Sequence, residues 1–223
     1  MNTIRVLLVE DHHLVRAGFK ALLGRFNYVE VVAEASDGRQ ALDQISESQP
    51  DVVLMDISMP WLNGVEATRR IAMEYPGVRV IMLSMYASEE YVLQSLKAGA
   101  VGYLLKDSEP AEFEKAIQVV SDGETYLCSG VAHLALNYAQ RTKTGVDETE
   151  NLNNPYTDLT SRQREVLQLV AEGNTSLQIA ERLDISVRTV ERHRADIMER
   201  LNINDLPGLV RYALRVGIIG LDE

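Results

Sequence analysis

Cysteine is nearly absent. Cys128 stands alone among 223 residues, which excludes an internal disulfide framework and a cysteine-built zinc cluster and leaves the bland role of a small, half-buried residue. Long apolar runs are missing too. No stretch approaches the roughly 20 residues that a membrane helix needs, and the opening MNTIRVLLVED turns acidic too soon for a signal peptide. A soluble, cytoplasmic chain with no membrane partner is expected. Positive charge is also scarce. The formal net charge of −11 argues against an unspecific nucleic-acid coat. The imbalance is uneven, with 13 Lys+Arg against 22 Asp+Glu before Tyr156 and 9 against 11 from Tyr156 onward. All nine later cations are arginine, and Arg188, Arg192, Arg194 and Arg200 crowd one short stretch. The length suits two domains, and 46% hydrophobic with 25% charged residues is ordinary globular material.

What is present begins with four short apolar runs, each ending on a polar side chain. VLLVED ends on Glu10 and Asp11, VVLMD on Asp56, VIMLS on Ser84 and GYLLK on Lys106. Such runs read as buried parallel strands, and open α/β sheets bind their ligands beyond the carboxyl ends of their strands. Strands are predicted at Ile4–Val9, Val29–Ala35, Val52–Met55, Val78–Leu83 and Val101–Leu105. Helical patterns fall between and after them: His13–Arg25 with Leu14, Phe19, Leu22 and Leu23 inward, one around Ala41, Leu42 and Ile45, one from Val65, then Glu89–Ala98 and Glu109–Val120. Regular alternation of this kind predicts an α/β, doubly wound, five-stranded parallel sheet.

The alternation stops after Gly123. Val131–Gln140 reads as one more helix, and RTKTGVDETENLNNPYTD, Arg141–Asp158, reads as a flexible linker because it holds almost no large apolar residue. The division expected is 1–122, 123–158 and 159–223. The last part is helical. Thr160 with Gln163 and Thr175 with Gln178 have capping-box spacing. Val166, Leu169 and Val170 form one inward stripe, and Ile179, Ala180 and Leu183 another. A tight turn at Asp184–Ser186 precedes a long helix, Val187–Leu201, and a final amphipathic helix carries Leu206, Leu209, Val210, Ala213 and Leu214. Two helices, a tight turn and a long third helix make a helix-turn-helix.

Three carboxylates gathered at one sheet edge repel one another unless a cation or proton intervenes. Mg²⁺ suits an all-oxygen site of this sort, and a carboxylate beside it can attack a phosphoryl group to give an aspartyl phosphate. Lys106 and the Ser84 hydroxyl are the types of group that hold phosphoryl oxygens. Singly, each residue is an ordinary turn, loop or solvated side chain. The signal is their order on the first, third, fourth and fifth strands. In the tail, a helical wheel sets Val187, Val190, Ile197 and Leu201 on one face and Arg188, Glu191, Arg192, Ala195 and Glu199 on the other. Arginine can read guanine and glutamate the cytosine amino group in a major groove. Thr189, Arg194 and Arg200 are candidates for phosphate contact. A solvated helix with i,i+4 ion pairs would carry the same pattern.

With these motifs in place, Ile4 to about Val120 resembles a receiver domain and Leu159 to about Gly217 a LuxR-type helix-turn-helix. Together they resemble the NarL/FixJ family of two-component response regulators over almost the whole chain. The resemblance implies the strand order 2-1-3-4-5. It implies that Asp56 accepts a phosphoryl group from a cognate sensor histidine kinase, and that Mg²⁺ is held by Asp11, by Glu10 through water, by Asp56 and by the Ser58 carbonyl. It implies that Ser84 and Lys106 contact the phosphoryl group and that Tyr103 is a switch aromatic. It further implies that the second domain binds double-stranded promoter DNA through Arg188, Thr189, Glu191, Arg192, Arg194 and Ala195. Homodimer formation through Leu206, Leu209, Val210 and Ala213 follows, with RNA polymerase a further partner. Three departures stand out: Asp107 where many receivers have proline, Met85 where a small residue is common, and Glu191 where the family often has a basic one.

An aspartyl-nucleophile phosphatase of the haloacid dehalogenase type also carries a strand-end aspartate. It places a second aspartate two residues on, where this chain has Ser58, and it leaves the helical tail without a role. A regulator that senses acyl-homoserine lactone would need a different sensor fold. The sequence leaves open a receiver that acts without phosphate, and leaves open whether phosphorylation relieves inhibition or drives dimerisation.

Overall fold

The computed structural model describes residues 3–143, 156 and 158–219. The chain divides into two compact units, Met1–Tyr138 and Ala139–Glu223. The first alternates strand and helix: β1 (Ile4–Val9), α1 (His13–Leu23), β2 (Val29–Ala35), α2 (Gly38–Ser48), β3 (Val52–Asp56), α3 (Gly64–Glu74), β4 (Arg79–Ser84), α4 (Glu89–Ala98), β5 (Gly102–Leu105), α5 (Pro110–Ser121) and β6 (Tyr126–Leu127). Helix α6 (Ser129–Lys143) follows. The strands are parallel, in the order β2-β1-β3-β4-β5-β6. The order reverses at β1, so β1 and β3 lie side by side while their connections leave toward opposite faces, and this is where such sheets open a crevice.

Helices cover both faces, and the middle of each central strand is therefore apolar, with polar side chains only toward the ends. Val6 to Val9, Val52 to Met55 and Val80 to Leu83 are all buried. Each large aliphatic side chain among them contributes roughly 1.5–3 kcal/mol through burial. On one face α1 meets α5, with the Phe19 and Phe113 rings 5.2 Å apart. Leu14 departs from expectation and is 85% exposed. It lies nine positions before Leu23, about two and a half helical turns at 3.6 residues each, and so points away from the face that buries Phe19 and Leu23.

The sixth strand was not expected. Tyr126 and Leu127 pair with Gly102 and Tyr103 of β5, and Cys128 donates its N–H to the Tyr103 carbonyl at 3.0 Å. Two residues are too few to carry a period-2 pattern, yet they satisfy backbone groups that β5 would otherwise present as a bare edge. Cys128 and Val131 are buried in the same core. The linker read over Arg141–Asp158 lies largely outside the described residues.

The second unit holds α7 (Ser161–Ala171), α8 (Ser176–Leu183), α9 (Val187–Leu201) and α10 (Leu206–Arg215). Thr160 and Thr175 each accept from the N–H three residues on, while Gln163 and Gln178 return the bond, so both capping boxes form. Asp184 and Asn202, at φ of 51°, end α8 and α9 in the left-handed conformation that asparagine and aspartate tolerate better than most residues. Val166, Leu169, Val170, Ile179, Ala180, Leu183, Val190, Ile197 and Leu201 are buried as the periodicity requires. Val187 is 41% exposed, because it is the first residue of α9 and precedes the stretch that packs.

Candidate phosphoryl-acceptor site and nucleic-acid interface

The register of the sheet brings the site together. Val9 lies level with Met55 on the neighbouring strand, and Asp56 with Leu83. The residues just beyond, Glu10 and Asp11, therefore reach the end of β3. Ser84 pairs with Leu105, and the Lys106 N–H bonds the Ser84 carbonyl at 2.8 Å. The expected acids, hydroxyl and ammonium thus come from four adjacent strands to one edge.

Lys106 is the centre of the charge arrangement. Its Nζ lies 2.8 Å from Glu10 Oε2 and 3.0 Å from Asp56 Oδ2. Asp56 is 3% exposed, and its carboxyl is pushed up to about 7. Burial is the largest cause; Lys106 opposes it, and the negative charges of Glu10 and Asp11 add to it. The ion pair alone would lower Asp56, so desolvation together with repulsion outweighs it. Burial would depress the Lys106 ammonium, but Asp56 and Glu10 hold it above its ordinary range.

The oxygens left over fit a cation. Ligand atoms of Glu10, Asp11, His12 and Asp56 lie within 4.8 Å of one another. Glu10 Oε2 and Asp11 Oδ1 are buried and accept no aligned hydrogen bond. Lys106 Nζ lies 2.8 Å from the first of these oxygens, and His12 Nδ1 lies 2.9 Å from the second. Hard carboxylate oxygens in this state match Mg²⁺. The imidazole of His12 is a softer ligand and mostly exposed.

The loop after β3 is shaped by Gly64. Its N–H bonds the Ile57 carbonyl at 2.9 Å, and a Cβ there would sit 1.9 Å from the Asp56 carbonyl oxygen. Only glycine permits this approach. Trp61 in the same loop has φ of 73°, a conformation that costs a side chain of this size roughly 1–2 kcal/mol. Ser58 lies in this loop, half-buried.

Ser84 and Tyr103 share a partner that sequence reading missed. The Ser84 hydroxyl donates to the Tyr86 carbonyl and accepts from the Tyr86 N–H, both at 3.1 Å. The Tyr103 hydroxyl donates to the same carbonyl at 3.3 Å, and the ring is wholly buried. Burial pushes this phenol up. Burial likewise pushes the Tyr91 phenol up. Met85 is 64% exposed at the mouth. No peptide bond among the described residues is cis, and Lys106–Asp107 is trans accordingly.

In the second unit α9 follows α8 across the turn and packs against it. Arg188, Glu191, Arg192 and Ala195 are exposed on one side of α9, and Thr189 and Arg194 are partly covered. The Thr189 hydroxyl lies 2.7 Å from that of the N-cap Ser186. Arg200 donates to the Asp158 carbonyl at 2.6 Å. On α10, Leu209 and Ala213 are buried within the unit's own core, whereas Leu206 is exposed and Val210 partly so. The four residues read as a pairing surface therefore divide between core and surface.

Residues 6–118 match the response regulator receiver domain family, and residues 157–213 match the luxR family of bacterial regulatory proteins. The oxygen regulatory protein NreC of Staphylococcus epidermidis is 37% identical over 95% of this chain and 97% of its own length. The transcriptional regulatory protein DegU of Brevibacillus brevis is 38% identical over 97% of this chain and 95% of its own. Among solved structures, the response regulator ChrA of a heme-sensing two-component system is 32% identical, covers 96% of this chain and 98% of its own, and has a TM-score of 0.53. A receiver followed by a DNA-binding helix-turn-helix, matched end to end by relatives of the same two-part build, places this chain in the NarL/FixJ family of two-component response regulators that control transcription.

Proposed function

We propose that Asp56 is the phosphoacceptor, that Mg²⁺ is the cofactor of the transfer, and that the modified receiver governs DNA binding by α9. The observation that carries this reading is the Lys106 ammonium held between the carboxylates of Glu10 and Asp56, in a cluster with Asp11 whose ligand atoms lie within 4.8 Å of one another. Asp11, Glu10, Asp56 and the Ser58 carbonyl would hold Mg²⁺, which when bound neutralises the acid cluster and the phosphoryl oxygens. An Asp56 carboxylate oxygen forms a bond to phosphorus as the bond from phosphorus to the donor breaks, and the donor leaves with that electron pair. Lys106 then exchanges its Asp56 contact for a phosphoryl oxygen, and Ser84 turns its hydroxyl from the Tyr86 carbonyl to another. Because Tyr103 rests on that same carbonyl, the exchange bears on the surface formed by β4, α4 and β5.

The donor is a phosphohistidine of a cognate sensor kinase in the cytoplasm, and the output is binding of promoter DNA by a homodimer that contacts RNA polymerase. Leu206 and Val210 are the α10 residues available for pairing. No helix among the described residues is long and apolar enough to cross a membrane. The test is mass measurement after incubation with acetyl phosphate and Mg²⁺. One phosphoryl group, roughly 80 Da, should be added to the wild type, none in the presence of a chelator, and none to Asp56→Asn. Labelling of the Asn variant at the wild-type level would refute the assignment.

A further inference from the structure

Glu191 and Arg194 both lie on the helix assigned to DNA, yet their side chains engage each other and α8. The Ser176 hydroxyl, in the first turn of α8, donates to Glu191 Oε1 in a short hydrogen bond. Arg194 Nη1 donates to that same hydroxyl at 2.8 Å and stands 3.4 Å from Glu191 Oε1. A hydroxyl has one hydrogen to give, and here it is spent on Glu191 while a lone pair takes Arg194. The three groups form a closed chain that ties α9 to α8. Arg194 is partly covered and its Nε is buried without a hydrogen bond, so the guanidinium is committed inward through one nitrogen. Arg188 and Arg192, by contrast, are exposed.

We propose that Glu191 is an internal counter-ion and positioning residue. It reads no base, and it holds Arg194 against Ser176 so that this cation does not contact a DNA phosphate. The effect is on specificity. A free arginine on α9 would strengthen binding to every sequence alike, whereas one neutralised in place adds nothing to non-specific binding and leaves discrimination to the remaining two. Each contact in the chain is a surface interaction of modest strength, so a single substitution suffices to release it. The proposal rests on α9 being the helix that enters the major groove.

The test uses the full chain, treated with acetyl phosphate and Mg²⁺, and two DNA probes: a fixed non-specific duplex titrated over a range of salt, and a randomised duplex pool from which preferred sites are selected. Glu191→Gln should steepen the log–log salt slope by about 0.9, one phosphate contact, and tighten non-specific binding severalfold. Arg194→Ala should leave the wild-type slope unchanged, and the double variant should match Arg194→Ala. The sites selected by wild type and Glu191→Gln should be the same. Three outcomes would overturn the proposal: an equal gain in the double variant, which marks a general charge effect; a lower slope in Arg194→Ala, which means that Arg194 already holds a phosphate; or a selected site altered at one position in Glu191→Gln, which means that Glu191 reads a base. Failure of the underlying assignment is distinct, since Arg188→Ala and Arg192→Ala would then leave the selected site as it was.

Discussion

As the proposed phosphoacceptor, Asp56 combines two demands that oppose each other, because a nucleophile must be ionised and a residue 3% exposed resists ionisation. Its carboxyl stands at about 7 in the fold against an ordinary 3.8. A carboxyl raised on folding binds its proton more tightly in the native state, so stability is lost as pH rises from about 4 through 7. In chelator, Asp56→Asn should therefore melt several degrees above wild type at pH 8, and the gap should narrow toward pH 5. A gap that does not change with pH would mean that Asp56 ionises freely. Mg²⁺ requires the ionised group, so its affinity should weaken below about pH 7, as titration calorimetry at two pH values would detect. Gly64 acts by having no side chain. Gly64→Ala would set a methyl 1.9 Å from the Asp56 carbonyl and should cost more than about 2 kcal/mol in denaturant melts. A cost near zero would show that the loop can move aside without loss.

At the scale of elements, the helices of the second unit are defined by their ends as much as by their faces. Removing the hydroxyl of Thr160 or Thr175 takes one half of a capping box, and alanine at either position should lower stability by about 1 kcal/mol. Helix α9 separates its tasks by face, with Val190, Ile197 and Leu201 buried and Arg188 and Arg192 outside. Arg188→Ala and Arg192→Ala should each weaken specific binding by roughly 1–3 kcal/mol. Arg215→Ala should do so far less, since its guanidinium lies over the Tyr212 ring of its own unit, 5.2 Å from the centroid. Gel shifts in which all three variants behave alike would mean that the wrong helix has been assigned.

For the whole molecule, the question is how a charge added at Asp56 reaches α9. Phosphorylation introduces roughly two negative charges and strong acceptors, and it can move an equilibrium only by its differential affinity for two states. We expect the unmodified receiver to restrain the second domain. That domain has its own core of Val166, Leu169, Ile179, Val190, Ile197, Leu209 and Ala213, so the fragment Asn154–Glu223 should fold and bind DNA without phosphodonor. If it folds yet binds no better than the unmodified full chain, restraint is wrong and phosphate-driven dimerisation becomes the leading account.

Much of this architecture is legible in the sequence. Apolar runs between helical patterns dictate a parallel sheet, because a strand buried on both faces admits no polar alternation. The polar residues that end four of them become a site because parallel strands deliver their carboxyl ends to one edge. Capping residues and stripes at 3.6-residue spacing likewise fixed α7 to α10 locally. Tertiary structure decided the rest. Burial that lifts Asp56, the carbonyl of Tyr86 that Ser84 and Tyr103 share, and the pairing of two residues to make β6 all depend on what neighbouring strands supply. Leu14 and Val187 are apolar in the sequence but exposed in the fold, since periodicity gives a face and not what covers it. A wheel drawn for α9 alone sets Glu191 on the outer stripe and leaves Arg194 a candidate for phosphate contact. Only the packing of α8 brings Ser176 between them, because the contact spans two helices and one helix's periodicity carries no record of it.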